Sequence, residues 1–203
     1  MPKISDEKRA ARRLQILEAA WTCFQKQGLH ATPMSDIIAA SGLSAGAVYS
    51  YFPGKEDLIL AAVTTSLDGL RERVEPILAA PSPPPPDRFI EEIAAVVACF
   101  TAREGYDLRR IALLGWSEAQ RNPHLQEVMQ GYYLGFRARL ADAVIRWKQT
   151  GEIASTASEP DVAKAMLAAI LGFVVQSALM GDVAPQDLAR GLRDLAGGDD
   201  AHG

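Results

Sequence analysis

Between Ser44 and Lys55 the chain sets hydrogen-bond donors among very small residues: Ser44, Ala45, Gly46, Ala47, Tyr49, Ser50, Tyr51 and Lys55. Phenol, hydroxyl and ammonium groups donate to anionic oxygens, and the phosphates of a nucleic-acid backbone suit such a cluster. Ala45, Gly46 and Ala47 add little bulk, so a helix that begins with them can lie close to a groove floor. Alanine methyls can contact thymine methyls, and a hydroxyl such as that of Ser50 can bond either type of base edge. The chemistry implied is contact with double-stranded DNA. A plain helical hairpin, in which Tyr49 and Tyr51 only pack, is the alternative.

Two short helices have to hold these donors in place. Ser44 is placed to cap one that Pro53 ends, and Thr32-Pro33 opens another before it, with Thr32 as N-cap and Pro33 in the first turn. Ser41-Gly42-Leu43 joins them, and Gly42 permits the positive φ of a tight turn. Ile37, Leu43, Val48 and Phe52 can pack inward, which leaves the small and hydroxyl-bearing residues outside. These are the dimensions of a helix-turn-helix. Thr32, and the backbone amides at the starts of the second and fourth helices, are further candidates for phosphate contact. The recognition helix contains no Arg, Lys, Asn or Gln. Bidentate base readout, worth about 1–3 kcal/mol per pair, is therefore not available from it.

Nothing in the chain reads as strand. Apolar residues recur at three- and four-residue steps, as with Leu14, Leu17, Trp21 and Phe24, and Gly and Pro break the series. The pattern predicts helices over 5–27, 33–41, 45–52, 55–79, 87–103, 106–121, 123–149, 160–180 and 185–196, with a polyproline connector over Pro81–Pro86 and a disordered tail from Gly197. The fold class expected is all-α. A three-helix DNA-binding domain over 1–54 is followed by a helical bundle for ligand binding and dimerisation over 55–203.

Residues 10–60 resemble the N-terminal domain of the TetR (tetracycline-repressor) family of bacterial regulators. The resemblance rests on Ile16-Leu17-Glu18-Ala19-Ala20, Phe24, Gly28, Thr32, Met34, Asp36-Ile37, Gly42-Leu43-Ser44, Gly46, Val48-Tyr49, Tyr51-Phe52 and Lys55-Glu56-Asp57-Leu58. Pro33 stands where the family usually has Ser or Thr, and Ile38 where it usually has Ala. The resemblance implies a homodimer whose third helix reads DNA and in which Tyr49 and Lys55 touch the DNA backbone. Leu113 to Pro123 is weakly similar to the C-terminal domain of one broad branch of that family. It implies a ligand cavity in the second domain, whose occupation separates the recognition helices and releases the operator.

The residues of the second domain are compatible with this. Phe100, Trp116, Tyr132, Phe136, Met166, Phe173 and Gln176 lie on several helices that can converge on a small apolar or amphipathic effector. Each could equally be ordinary core. From Ala165 to Gly181 there is no charged residue, which falls short of a full membrane span and suits burial instead. With Ala168, Ala169 and Gly172 allowing close approach, the helix over 160–180 is expected to pair with that over 125–148 in an intersubunit four-helix bundle.

Composition agrees with a cytoplasmic, non-membrane protein. The 203 residues are 48% hydrophobic and 23% charged, with a net charge of −4. Residues 1–60 carry +1 and the remainder −5, and Lys3, Lys8, Arg9, Arg12 and Arg13 crowd the N-terminus. That end either meets phosphate or is a solvated terminus. Cys23 and Cys99 sit among apolar neighbours and are expected to be reduced core thiols. His30, His124 and His202 form no ligand spacing with them, no phosphate-binding glycine loop is visible, and neither enzyme, metal nor cofactor is indicated. Against the DNA-binding regulator stands a helical small-molecule-binding protein without sequence-specific DNA binding.

Overall fold

The computed structural model describes residues 6–100, 102–103 and 106–196. Lys3 and the tail from Gly197 lie outside the described residues. Nine helices occur among those described: α1 (Asp6–Gln27), α2 (Met34–Ser41), α3 (Ala45–Tyr51), α4 (Lys55–Leu78), α5 (Pro86–Phe100), α6 (Leu108–Ala119), α7 (Pro123–Thr150), α8 (Glu159–Leu179) and α9 (Pro185–Ala196). A two-residue strand pair, β1 (Ala102–Arg103) and β2 (Tyr106–Asp107), stands where sequence periodicity predicted the end of one helix and the start of the next. Its physical reason is local. The Asp107 side chain accepts from the Arg109 amide, so α6 is capped at Asp107 and cannot begin at Tyr106.

The chain packs as two compact units, Met1–Leu67 with Arg103–Gln126, and Asp68–Ala102 with Glu127–Gly203. In the first unit α1 is the central element. Ile16, Leu17, Ala20, Trp21 and Phe24 face inward and are buried, while every described residue before Ile16 is exposed. Trp21 donates its indole N–H to the Ala62 carbonyl of α4 at 3.1 Å, which satisfies the one polar atom of a buried ring. α1 ends at Gly28, whose φ of 84° and amide bond to Phe24 O close the helix.

The turn between α2 and α3 is set by Gly42, with φ 66° and ψ 15°. Its amide donates to Ala39 O, and Ser41 Oγ accepts from the Leu43 amide while donating to Ile38 O. Ile37, Val48 and Phe52 are buried, so one face of each short helix is committed to the interior. Ser44 caps α3 by accepting from the Ala47 amide at 3.3 Å.

The second unit is a helical bundle around Val74, Leu78, Phe89, Ile93, Leu140, Val144, Trp147, Met166 and Ile170. Trp147 is its largest buried side chain, edge-on to Phe89 with ring centres 5.0 Å apart. Its indole N–H donates to the carbonyl of Pro84 at 2.8 Å, so the proline connector is fastened to the core through a backbone oxygen. Asp87 of α5 accepts two bonds from Arg193 of α9, at 2.9 and 2.6 Å, and this pairing with the guanidinium holds the Asp87 carboxyl below its ordinary range although burial acts the other way. α8 buries Ala163, Met166, Ile170, Phe173, Val174 and Ser177, and leaves Ala165, Ala168, Gln176 and Leu179 exposed.

The two cysteines differ. Cys23 is buried, and desolvation raises its thiol pKa. Cys99 is exposed, contrary to the core position that its apolar neighbours in sequence suggest. α5 buries Ile90, Ile93 and Val97, and Cys99 lies off that stripe.

Two substitutions test these assignments. Trp147→Phe keeps the ring packing but leaves Pro84 O without its donor, so urea titration should show a loss of about 1–3 kcal/mol. An unchanged midpoint would mean that the connector is not held there. Gly42→Ala forces a methyl-bearing residue into the left-handed region and should lose about 1–2 kcal/mol, although a Cβ at that site meets nothing within 4 Å.

Candidate nucleic-acid interface

α3 presents its small and hydroxyl-bearing residues outward. Ser44, Ala45, Gly46, Tyr49 and Ser50 are exposed, and Ala47 is half-buried. Tyr49 is 46% exposed for a large aromatic residue. A Cβ built on Gly46 meets no atom within 4 Å, and Gly46 has no positive φ. Glycine in a helix is less stable than alanine by about 0.5–1 kcal/mol. Among the described residues, no packing contact requires this glycine.

Hydroxyls on this face are partly engaged. Ser44 Oγ accepts from Ala47, and Ser50 Oγ donates to Ala47 O at 2.7 Å. Both retain lone pairs on the exposed side. Tyr51 is half-buried, with the Arg9 guanidinium 6.0 Å from its ring centre, and Arg13 lies 5.4 Å from the ring of Phe52. These two contacts fix the N-terminal turns of α1 beside the C-terminal end of α3.

Thr32 departs from the sequence expectation. It is 0% exposed, and its hydroxyl donates to Gly28 O at 2.7 Å and lies 3.4 Å from Cys23 O. It therefore satisfies carbonyls at the end of α1 and is neither the cap of α2 nor open to a phosphate. The N-cap of α2 is Pro33, which has no side-chain donor or acceptor to offer. The first-turn amides of α2 are correspondingly left without a side-chain cap.

Lys55 opens α4, half-buried, and its Nζ donates to His30 O at 2.6 Å. His30 in turn lies with Nε2 2.6 Å from the carboxylate of Glu118, a buried residue at the end of α6. Sequence spacing gives no hint of this pair, because 88 positions separate its members. The loop between α1 and α2 is thus tied to α4 by one bond and to α6 by another. Near it, Gln25 Oε1 accepts from the Asp107 amide, which ties α1 to β2.

The residues expected at an effector site fall into different units. Trp116 belongs to the first, and Phe100, Tyr132, Phe136, Met166, Phe173 and Gln176 to the second. Met166 and Phe173 are buried, and Met166 is part of the bundle core, against which Phe136 packs. Phe100 lies against Gly69, where an added Cβ would come within 3.0 Å of the ring, and under Arg73, 4.7 Å from its centre. Tyr132 donates to Asp68 Oδ1 at 2.7 Å with Arg71 over its ring, and burial together with Asp68 raises its pKa. Gln176 is exposed in the single chain, on the outer side of α8 and not among the inward-facing residues. The reason is the helical period: Phe173 and Ser177 take the buried stripe, and Gln176 falls between them. Among the described residues, no group of three or more His, Cys, Asp or Glu could hold a metal ion.

The model for bacterial regulatory proteins of the tetR family matches residues 16–62, and that for the C-terminal part of BetI-type transcriptional repressors matches residues 90–196. The HTH-type transcriptional regulator UidR of Escherichia coli K12 is 26% identical over 196 residues, covering 92% of this chain and 91% of that one. The solved structure of Salmonella enterica GusR is similar at a TM-score of 0.74, with 26% identity and 96% of each chain covered. A regulator from Saccharomonospora viridis, crystallised with choline, shares the fold at a TM-score of 0.75 and 20% identity, covering 94% of this chain and 97% of that one. With a small-residue recognition helix, an all-helical fold and matches to both halves, the chain belongs to the TetR family of bacterial transcriptional regulators and is a DNA-binding helix-turn-helix regulator.

Proposed function

We propose that this regulator is a homodimeric cytoplasmic repressor that leaves a palindromic operator when a small apolar or amphipathic effector binds. The observation that carries the reading is the outer face of α3, where an exposed glycine with no internal use stands between two alanines. A helix so bare can approach the major-groove floor closely. In this reading Ser44, Ala45, Gly46, Ala47 and Ser50 meet base edges, and Tyr49, Tyr51 and Lys55 meet phosphates. Lys55 would exchange its bond with His30 O for a phosphate, a charge-assisted contact of greater strength.

Residues 1–54 would be the DNA-reading part and 55–203 the responsive part. Dimerisation is assigned to α7 and α8. Leu134 and Ile145 on α7 and Leu179 on α8 are exposed at 46%, 44% and 71%. Ala165 and Ala168 leave room for a second helix pair beside them. Effector binding is assigned to the second unit, around Tyr132 and Phe100, with Phe136, Met166 and Phe173 behind them.

The primary test is selection from a random duplex library followed by mobility shifts. A palindrome whose half-sites lie about 34–36 Å apart, or a multiple of that, is expected. Thermal stabilisation by small molecules without any preferred duplex would favour a helical ligand-binding protein instead. Gly46→Ala should raise or preserve the melting temperature and yet weaken operator binding, because the new methyl points only outward. Loss of both, or of neither, would remove the assignment. Tyr49→Phe and Lys55→Ala should weaken binding to all duplexes about equally, and the latter should lower the salt dependence by about one contact per protomer. Ala168→Glu places a charge in the proposed bundle and should yield monomers in sedimentation; a stable dimer would place the interface elsewhere.

A further inference from the structure

Glu118 is a carboxylate almost out of water, with its side chain 8% exposed, near the end of α6. A buried carboxylate needs a hydrogen-bond partner. His30 supplies it with Nε2 at 2.6 Å, from a side chain that is itself 60% exposed. Both ends of this contact are held. The Glu118 carbonyl accepts the amides of Arg121 and Asn122, each at 3.0 Å, so its backbone closes the last turn of α6. His30 stands in the link between α1 and α2. Leu29 and Thr32 of that link are buried, and the Thr32 hydroxyl donates to Gly28 O at 2.7 Å. The His30 ring is a further anchor of the same link.

The anchored link presents the backbone carbonyl of His30, and Lys55 Nζ donates to it at 2.6 Å. A lysine loses much rotamer freedom when it is held, so such a bond lasts only on an acceptor that keeps its place. Lys55 is also the first residue of α4, where the macrodipole disfavours a cation, and the carbonyl offsets this. Carboxylate, imidazole, carbonyl and ammonium thus form one chain of contacts from α6 to α4, all within the first unit.

Resting on the assignment of Lys55 to a phosphate, we propose that Glu118 sets DNA affinity from outside the helix-turn-helix, as a positioning residue that acts through His30 to hold Lys55 back. A contact made in the free protein and given up in the complex lowers affinity by its own free energy. Lys55 gives up His30 O when it takes a phosphate. The more firmly that carbonyl is held, the more the exchange costs. Glu118 holds it through the imidazole, so the pair works as a latch on the lysine. Phosphate contacts carry no sequence information, and the latch therefore lowers affinity for all duplexes alike.

The test uses the full-length protein with duplexes recovered from the random-library selection. Removing His30 alone would strand a buried charge, so the main variant replaces both partners, His30→Ala with Glu118→Leu. Glu118→Gln keeps the shape of the side chain and removes only its charge. Circular dichroism and thermal melting check that both fold. The double variant should bind the operator tighter by roughly threefold for each protomer, and so by roughly tenfold for a dimer. Glu118→Gln should give a smaller gain in the same direction. In a Lys55→Ala background the same substitutions should leave affinity unchanged, which a merely structural role would not do. The salt slope should equal that of wild type, because Lys55 meets phosphate in both complexes. Equal or weaker binding by the folded variants, or the same gain with and without Lys55, would overturn the latch; Lys55→Ala would still weaken binding and leave the phosphate assignment intact. If Lys55→Ala itself changes neither affinity nor slope, the phosphate assignment falls and the latch with it. Absence of any preferred duplex for wild type would overturn the DNA reading itself.

Discussion

The arrangement of the DNA-facing surface depends on one backbone constraint, the left-handed conformation at Gly42. With φ at 66°, the chain reverses between α2 and α3 in three residues, and Ile37, Val48 and Phe52 can all be buried at once. Their burial removes one face of α3 from solvent and so determines which residues are left outside. A residue with a Cβ at position 42 would resist that conformation. The fixed crossing of the two helices then lets an almost bare helix act as a recognition element, since close approach is useful only if the angle of approach is set.

The second consequence concerns α3 itself. Its outer residues provide methyls, hydroxyls and a phenol but no charged or amide side chain. In the proposed function, such a surface reads bases through shape and methyl contacts, with phosphate donors holding register. The charges sit around it, on Lys55 at the start of α4 and on the exposed turns of α1. Lys55 and the loop it touches are linked to α6 through His30 and Glu118. A displacement of α6 would therefore be felt at a residue proposed to hold phosphate.

Most of the fold is legible in the residues. Gly28, Gly42, Pro53, the prolines from Pro81 to Pro86, Pro123 and Pro185 mark helix ends, and the observed helices start and stop within a few residues of them. Tertiary hydrogen bonding is not legible in this way. Thr32 has the sequence look of an N-cap, but its hydroxyl turns to the carbonyls of α1, which only packing brings near. Gln176 sits in an uncharged helix and faces outward, because only the exact phase of the buried stripe decides its direction. Cys99 is misplaced for the same reason. The His30–Glu118 contact joins distant segments, and no local pattern announces it. At the DNA face, the residue types were readable and their neighbours were not.

The central claim is that α3 recognises its site by close approach and methyl contact, without donors that pair two-to-one with guanine. Base-analogue substitution in the selected duplex measures this directly. Replacing single thymines by deoxyuridine removes only the C5 methyl, and replacing guanines by 7-deazaguanine removes only the N7 acceptor. Affinity should fall at one or more thymine positions in each half-site under α3 and remain unchanged at the guanines there. Large losses at 7-deazaguanine with none at deoxyuridine would contradict the account.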